Sequence, residues 1–179
     1  MKAVISIFSL MVSAVSPALG QHSQPYAGQH AREIKALSTE EVQQYLSGAG
    51  MGYARPAELN RYPGPMHVLE LADKLALTAE QRARTKALMD AHKAEARAIG
   101  AKRVDAEHAL DTLFAGGKVD EAALGRAVRA AAVLEGEYRL AHLETHRRMR
   151  ALLTEEQVSR YEHLRGYTAG AAQRHGAKH

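Results

Sequence analysis

The chain contains no cysteine and no tryptophan among its 179 residues, and its aromatic residues are limited to seven Tyr and two Phe. The absence of Cys excludes disulfides, thiolate metal sites and thiol chemistry. A basic block is also missing, because 24 Lys and Arg are interspersed with 20 Asp and Glu. Nucleic-acid binders carry a basic patch or stripe, so we expect no nucleic-acid partner. The abundant residues, Ala, Leu, Glu, Arg and Lys, are typical of long helices with modest cores.

Motifs of the common enzyme classes are also missing from the sequence. It has no zinc-protease helix, nucleophile elbow, phosphate loop or dinucleotide fingerprint. The stretch from Gly48 to Gly52 is rich in glycine but lacks the Lys and the preceding strand that a phosphate loop needs. Glu33, Glu40, Glu41 and Glu58 are scattered, and we interpret them as solvated helix charges. We therefore predict that the protein is not an enzyme and requires no cofactor.

The N-terminus has the pattern of an export signal. Lys2 precedes an apolar stretch from Ala3 to Val15, and small residues occupy both positions that a signal peptidase reads, in Ala18-Leu19-Gly20. We predict a signal peptide over residues 1–20, cleavage after Gly20, and a periplasmic mature protein without a membrane span. If the signal is retained, it would act as an anchor, although the run is short for a span of about 20 residues.

The remaining sequence predicts an all-α fold built on a long antiparallel helical hairpin. Gly116-Gly117 forms a short link between two long segments with heptad-like apolar spacing, which favours a hairpin. The apolar stripe is thin, so we expect a homodimer that covers it. The sequence predicts three parts after residue 20: an N-terminal extension (21–64), a helical domain (65–167) and a disordered tail (168–179). The extension holds a short helix over 31–46, followed by an irregular Gly/Pro-rich stretch to residue 65. The predicted helices of the domain span 66–76, 78–115, 119 or 120 to 152, and 154–166.

One short phrase occurs three times and marks helix starts. A Leu is followed by a Ser or Thr, and a Glu or Gln stands three residues further on, which is the pattern of a capping box. The hydroxyl accepts from a backbone N–H of the first turn, and the Glu or Gln side chain accepts from the N–H of the cap. The predicted pairs are Ser38 with Glu41, Thr78 with Gln81, and Thr154 with Gln157.

Two full Leu-Thr-x-x-Gln copies that bracket a helical hairpin behind a signal peptide resemble the LTxxQ-motif periplasmic proteins. These include the Spy and CpxP chaperone-like proteins and the CnrX- and ZraP-type metal-responsive proteins. The resemblance covers about residues 65 to 167 and rests on both motifs, the hairpin, and Tyr161 after the second motif. It implies a curved, cradle-like all-α dimer in which Thr78, Gln81, Thr154 and Gln157 are structural.

A metal site is a second reading of the sequence, with zinc or copper as the candidate ion. His142 and His146 are four residues apart on one helix face, Met149 follows three residues later, and His67 lies on a helix that can fold back. Met89 and His92 sit on the opposing long helix. The alternative is that His142 is a core residue and that Arg147 and Arg148 repel a cation near His146. The nickel and cobalt sensors of the resembled family carry a His where this chain has Thr145.

The leading functional hypothesis is an ATP-independent periplasmic chaperone or stress-response protein that binds unfolded or envelope proteins. Interspersed basic side chains would meet acidic stretches of a client, while apolar patches meet its exposed apolar segments. The predicted client-binding residues are Arg82, Arg84, Lys93, Arg97, Lys102, Arg103, Arg126 and Arg129. A metal sensor or resistance protein, and an accessory subunit that docks on an envelope signalling partner, are the two alternatives.

Overall fold

The structure, a computed structural model, describes residues 25–117 and 119–168 of the chain. Every regular element in these ranges is helical, as the sequence predicts. After a 3₁₀ turn at Gln29–Ala31, the described helices are α1 (Thr39–Ser47), α2 (Arg55–Glu58), α3 (Pro65–Glu70), α4 (Ala79–Ala115), α5 (Glu121–Arg150) and α6 (Glu155–Leu164). The long helices α4 and α5 pack together as the hairpin. The predicted signal peptide (1–20) and the tail beyond Thr168 lie outside the described residues.

The N-terminal extension departs from its predicted bounds in two places. The helix predicted over 31–46 begins only at Thr39, because Ser38 caps it, and it ends where Gly48 adopts a φ of 70°. The stretch predicted to be irregular contains α2, which holds Pro56 in its first turn. A proline is tolerated there because its missing N–H would have no helical partner.

A tight turn after α3 places two leucines in the first cluster of buried residues. The helix predicted over 66–76 stops at Glu70, and Ala76 takes a φ of 50°. The turn between them brings Leu75 and Leu77 inward together. We call the resulting cluster the motif core; it lies at the end of the hairpin farthest from the Gly116-Gly117 turn. Its buried members are Val68, Ala72, Leu75, Leu77, Leu88, Met149, Leu153, Val158 and Tyr161.

The N-terminal extension lies along the hairpin, mainly against α4. Its second cluster of buried residues, the extension core, joins Ile34, Leu37 and Tyr45 to Ala96 of α4 and Tyr138 of α5. A Cβ at Gly100 would overlap the carbonyl oxygen of Tyr45 and lie 2.7 Å from its carbonyl carbon. Only a glycine therefore lets the backbone of α1 approach α4 this closely. The domain boundary at residue 64 stays a prediction, but the extension packs against the hairpin.

The hairpin consequently has two unlike faces. We call the side that carries Ala96, Gly100, Tyr138 and His142 the covered face, since the extension and the short helices lie on it. On the opposite side of α5, one exposed line of residues follows the helical repeat. We call this side the open face; its residues are Val133, Gly136, Leu140 and Arg147 of α5, Ala151 directly after that helix, and Ala87, Ala94 and Ala98 of α4.

No helix in the described ranges is long and apolar enough to cross a membrane.

Candidate functional site

The two Leu-Thr-x-x-Gln motifs form capping boxes whose glutamines also bind each other. Oε1 of Gln81 accepts from the N–H of Thr78, and Oε1 of Gln157 accepts from that of Thr154, both at 3.0 Å. Each Nε2 then donates to the opposite Oε1, at 2.8 and 3.0 Å. The second amide hydrogens reach the carbonyl oxygens of Leu152 and Leu75. We call this arrangement the glutamine clasp; both side-chain amides use their full hydrogen-bonding capacity in it.

The third capping box explains why the clasp needs glutamine. At the start of α1, the carboxylate of Glu41 accepts from the N–H and the hydroxyl of Ser38, at 2.8 and 2.7 Å. The bond from the Ser38 backbone lowers the pKa of Glu41 below its ordinary value. This box has no partner motif, so an acceptor alone suffices. A Glu in the clasp would offer only acceptors to the carbonyl and amide oxygens that face it.

A cavity of about 540 Å³ opens on the covered face, between the extension and the hairpin. The loop from Ser47 to Gly52, α2 and the start of α3 form its outer wall, while α4 and α5 form its floor. Its walls carry four histidines and three methionines, namely His67, His92, His142, His146, Met51, Met66 and Met89.

Hydrogen bonds to the backbone fix the tautomers of two of these histidines. Nδ1 of His142 lies 2.9 Å from the carbonyl oxygen of Tyr138, and Nδ1 of His146 lies 2.8 Å from that of Tyr62. A carbonyl oxygen can only accept, so both Nδ1 atoms carry the hydrogen and donate it. In the neutral form of either ring, the lone pair is therefore on Nε2.

The third histidine is fixed through a threonine. The hydroxyl of Thr145 donates its single hydrogen to the carbonyl oxygen of Ala141, at 2.8 Å. The same Oγ1 lies 3.1 Å from Nδ1 of His92, and it must accept in that contact because its hydrogen is already used. Nδ1 of His92 is thus the protonated nitrogen, and its Nε2 also carries a lone pair.

Burial keeps the two innermost rings neutral. His92 and His142 are 8% and 4% exposed, and their rings meet edge to face with centroids 4.5 Å apart. Desolvation, with His142 and His146 nearby, lowers the pKa of His92 to about 4. Burial likewise lowers the pKa of His142. Nε2 of His142 is buried and has no hydrogen-bond partner within the described structure.

Glu58 is not the solvated helix charge that the sequence suggested. It lies at the edge of the cavity, and its side chain is 13% exposed. Its Oε1 accepts from the hydroxyls of Tyr161 and Tyr167, at 2.5 and 3.0 Å, and its Oε2 accepts from the N–H of Gly64 at 3.1 Å. Glu58 therefore ties the extension to the segment that follows the second motif. Burial also raises the pKa of Tyr161.

The four residues predicted as metal ligands divide between the cavity and the core. His142, His146 and His67 line the cavity, and Nδ1 of His67 donates to Glu70 at 2.8 Å. Met149 is fully buried in the motif core and does not reach the cavity. Among the described residues, no three or more His, Asp or Glu side chains are already grouped to hold a metal ion.

The predicted set omitted two cavity residues, Met89 and His92, that share one face of α4. Their three-residue spacing was visible in the sequence. Their position opposite His142 and His146 depends on the register of the hairpin, which the helical spacing does not supply.

The eight basic residues predicted to bind clients are also distributed unevenly. Arg103 is buried and pairs with Glu107, so it does not belong to an accessible surface. On the covered face, Lys93 lines the cavity and Arg97 donates to the carbonyl oxygen of Ser47 at 3.3 Å. Arg82, half-buried, pairs with Asp73 at 2.6 Å. The exposed remainder is Arg84, Lys102, Arg126 and Arg129.

A groove of about 440 Å³ lies on the open face, between the start of α4 and the end of α5. Small and branched apolar side chains form its floor, and arginines stand at its rim. The floor residues are Ala87, Leu88, Ala151 and Leu152, and the rim residues are Arg84, Arg147 and Arg148. Arg147 and Arg148 were not among the predicted client-binding residues.

A comparison with protein families now adds to this geometry. The model of the LTXXQ motif family matches residues 65–165, which contain α3 to α6, the cavity floor and the glutamine clasp. Neither a curated protein nor a solved structure matches the chain.

Proposed function

We propose that this chain, which belongs to the LTXXQ motif family, acts in the periplasm as an ATP-independent chaperone of the Spy and CpxP type. The observation that carries the proposal is the open face, where exposed arginines flank exposed apolar side chains along one side of the hairpin. Unfolded or partly folded envelope proteins are the proposed clients.

The exposed apolar residues of the open face suit an unfolded segment. Val133 and Leu140 are 58% and 63% exposed, and they lie seven residues apart on the same side of α5. Gly136, between them, has open space around it. Large apolar side chains that line up at a surface mark interaction sites more often than isolated ones do.

The charges of the open face add a preference for acidic clients. Arg126 and Arg129 precede Val133 on the exposed side of α5, and Arg147 and Arg148 follow Leu140 at the groove. Such a surface attracts an acidic, apolar chain over several contacts without requiring one sequence. Binding of this kind is adaptable, since no deep pocket fixes a particular side chain.

The test is a light-scattering assay of an acidic client, reduced α-lactalbumin, with and without an equimolar amount of the mature protein. We expect the protein to suppress aggregation. The double variant Val133→Asp with Leu140→Asp should lose most of the suppression, because it places two charges in the apolar line.

Phe114→Asp is the matched control. Phe114 is 58% exposed but lies at the far end of α4, away from the groove. The Phe114→Asp variant should suppress aggregation as well as the unsubstituted protein does. If that protein leaves aggregation unchanged, or if the control loses as much as the double variant, the proposal is wrong.

The sequence also predicts a homodimer, and a second copy would find the same apolar line. Sedimentation velocity on the unsubstituted protein and on the double variant separates these uses of the surface. If the mass is the same in both proteins while suppression is lost, the open face binds clients. If the variant halves the mass, the face is an interface between copies and client binding must lie elsewhere.

A further inference from the structure

We propose that the cavity on the covered face binds a single-chain amphiphile with an anionic head, such as a free fatty acid. The cavity, of about 540 Å³, lies within the size range of small-molecule sites, about 300–1,000 Å³, and its lining is mostly apolar. Most of its outer wall belongs to the extension, which precedes the matched family region and packs against the hairpin. The proposal does not depend on the chaperone function, which uses the open face.

The interior of the cavity suits an acyl chain. Met51, Met66 and Met89 lie on its walls, and their unbranched thioether side chains adapt to ligands of irregular shape. The two innermost histidines, His92 and His142, are buried, and desolvation lowers the pKa of both rings. Because these rings stay neutral near pH 7, they place no charge beside a buried methylene chain.

Apolar side chains continue from the interior to the mouth of the cavity. Leu59 and Met66 both line the cavity, and yet they are 56% and 48% exposed. An exposed apolar patch of this kind marks a ligand-binding groove more often than isolated apolar residues do. A ligand that enters between Leu59 and Met66 would remove their apolar surface from water, which favours binding.

Two basic side chains at the mouth set the charge of the head group. Arg55 of α2 and Lys93 of α4 line the cavity, and both residues are exposed. Glu58, the one carboxylate among the lining residues, instead accepts from the hydroxyls of Tyr161 and Tyr167. Within the described residues, neither Arg55 nor Lys93 forms an ion pair. An anionic head would complement both charges.

The separation of these groups fixes the orientation of the ligand. The charged side chains stand at the solvent-exposed mouth, whereas the neutral rings of His92 and His142 are buried. The anionic head would therefore lie near Arg55 and Lys93, and the acyl chain would point inward along Met89. Free fatty acids and lysophospholipids share this chemistry, and both are included in the test.

The experiment is isothermal titration of the full mature chain with decanoate, below the concentration at which it forms micelles. We expect one decanoate per chain. Octanoate should bind about tenfold more weakly, because it buries two fewer methylenes. If decanoyl lysophosphatidate binds more tightly than decanoate, the natural ligand is a lysophospholipid, and the reverse order identifies a free fatty acid. If neither amphiphile binds, the proposal is wrong.

The role of the head group is tested with Arg55→Met combined with Lys93→Met. This variant should bind decanoate about tenfold more weakly, since the carboxylate loses both cations, but should bind the uncharged alcohol decanol as before. Lys102→Met with Arg126→Met is the matched control, because both residues are exposed outside the cavity. Equal losses in the two double variants would reduce decanoate binding to the net charge of the protein and overturn the proposal.

The role of the apolar rim is tested with Leu59→Asn combined with Met66→Gln. This variant should weaken the binding of decanoate and decanol alike, because the rim contacts the acyl chain. Its control is Val128→Asn, which changes a residue of α5 that is 47% exposed and lies outside the cavity. All these positions are exposed, so the variants should fold. A rim variant that binds both ligands like the unsubstituted protein would contradict the proposal.

A second readout locates the ligand without any substitution. After the predicted signal peptide, the chain contains four methionines, of which Met51, Met66 and Met89 line the cavity and Met149 is enclosed in the motif core. In protein labelled at the methionine methyl groups, decanoate should shift the first three resonances and leave that of Met149 in place. Binding without these shifts would place decanoate elsewhere. If deletion of residues 169–179 shifts the same three resonances without ligand, a segment of the chain fills the cavity. Either result would overturn the proposal.

Discussion

The covered and open faces of the hairpin belong to the same two helices but differ in their surroundings: one packs against the extension and the other is exposed to solvent. On the covered face, small residues and a glycine admit the extension, and the Tyr138 hydroxyl donates to the carbonyl oxygen of Ala49 at 2.6 Å. On the open face, Val133 and Leu140 project into solvent with no partner in the described structure. The covered face thus holds one fixed neighbour, whereas the open face is exposed and is where we propose that clients bind.

The homodimer that the thin apolar stripe suggests stays a prediction, and a second copy would have to use the open face, because the extension lies on the other side. The extension already covers one side of the hairpin, through the extension core and an ion pair from Lys35 to Asp111 at 3.1 Å. What remains uncovered is therefore available for function. Four predictions test this view, and three of them compare matched positions on the two faces.

The largest effect should come from the charged pairs. Arg103→Met on the covered face should lower the free energy of unfolding by about 3 kcal/mol, because it leaves Glu107 buried without its partner. Arg147→Met on the open face breaks the pair with Glu144, whose side chains are 66% and 42% exposed, and should change little. Urea unfolding measures both variants.

A double variant separates the lost pair from the lost bulk of the arginine. Arg103→Met with Glu107→Leu removes both charges and should recover most of the stability, since an apolar replacement of a buried pair is often neutral. Equal losses in Arg103→Met and Arg147→Met would mean that the two faces are buried alike.

The next largest change in stability should come from substituting two helical glycines, one on each face. Gly100→Ala should destabilise the protein by about 2 kcal/mol, because its Cβ would overlap the carbonyl oxygen of Tyr45 and push α1 away. Gly136→Ala has open space and should stabilise α5 by about 0.5–1 kcal/mol through helix propensity. Thermal melting distinguishes the opposite signs. If both substitutions stabilise, the extension is not held against α4.

Acidification should weaken the covered face in metal-free protein. His92 has a pKa of about 4 in the folded chain, against an ordinary value of 6.5. Between these values the unfolded chain takes up a proton that the folded chain refuses, so stability falls as the pH falls from about 6.5 to 4. Unfolding in urea with a chelator should show a loss of about 2 kcal/mol between pH 7 and pH 5.

The control for this pH dependence is His92→Gln, which removes the titrating ring. The variant should be less stable at pH 7 but should lose less stability on acidification. His142, whose pKa burial also lowers, faces the same cavity and would supply the dependence that remains. A slope unchanged by the substitution would assign the pH dependence to groups other than His92.

Much of the fold was predictable because its signals are local. The capping residues Thr78 and Thr154 mark helix starts within four residues, and Gly116-Gly117 marks the turn of the hairpin. The glutamine clasp was not predictable in this way, because it joins residues 76 positions apart. The packing of the extension also depends on a contact distant in sequence, between Tyr45 and Gly100, and a glycine inside a helix signals only a loss of propensity.

The candidate site likewise combines a local signal, which was predictable, with contacts between residues distant in sequence, which were not. The four-residue spacing of His142 and His146 was visible on one helix, whereas their meeting with His92 requires the register between two helices. Met149 has suitable spacing as well, but it lies in the motif core, because spacing along a helix does not tell a cavity wall from a packed interior. Arg103 illustrates the reverse error, a charge that looks solvated in sequence and is buried in the fold.

The smallest effect should come from the open face itself. Val133→Asp with Leu140→Asp should change the free energy of unfolding by less than about 0.5 kcal/mol per site, because neither side chain contributes to a core. Tyr138→Phe is the matched change on the covered face, where loss of the bond to Ala49 should cost about 1 kcal/mol. Unfolding should be measured at two protein concentrations a hundredfold apart. A large loss in the aspartate variant, confined to the higher concentration, would mean that a second copy covers the open face in solution, and the contrast between the faces would then hold only for the monomer.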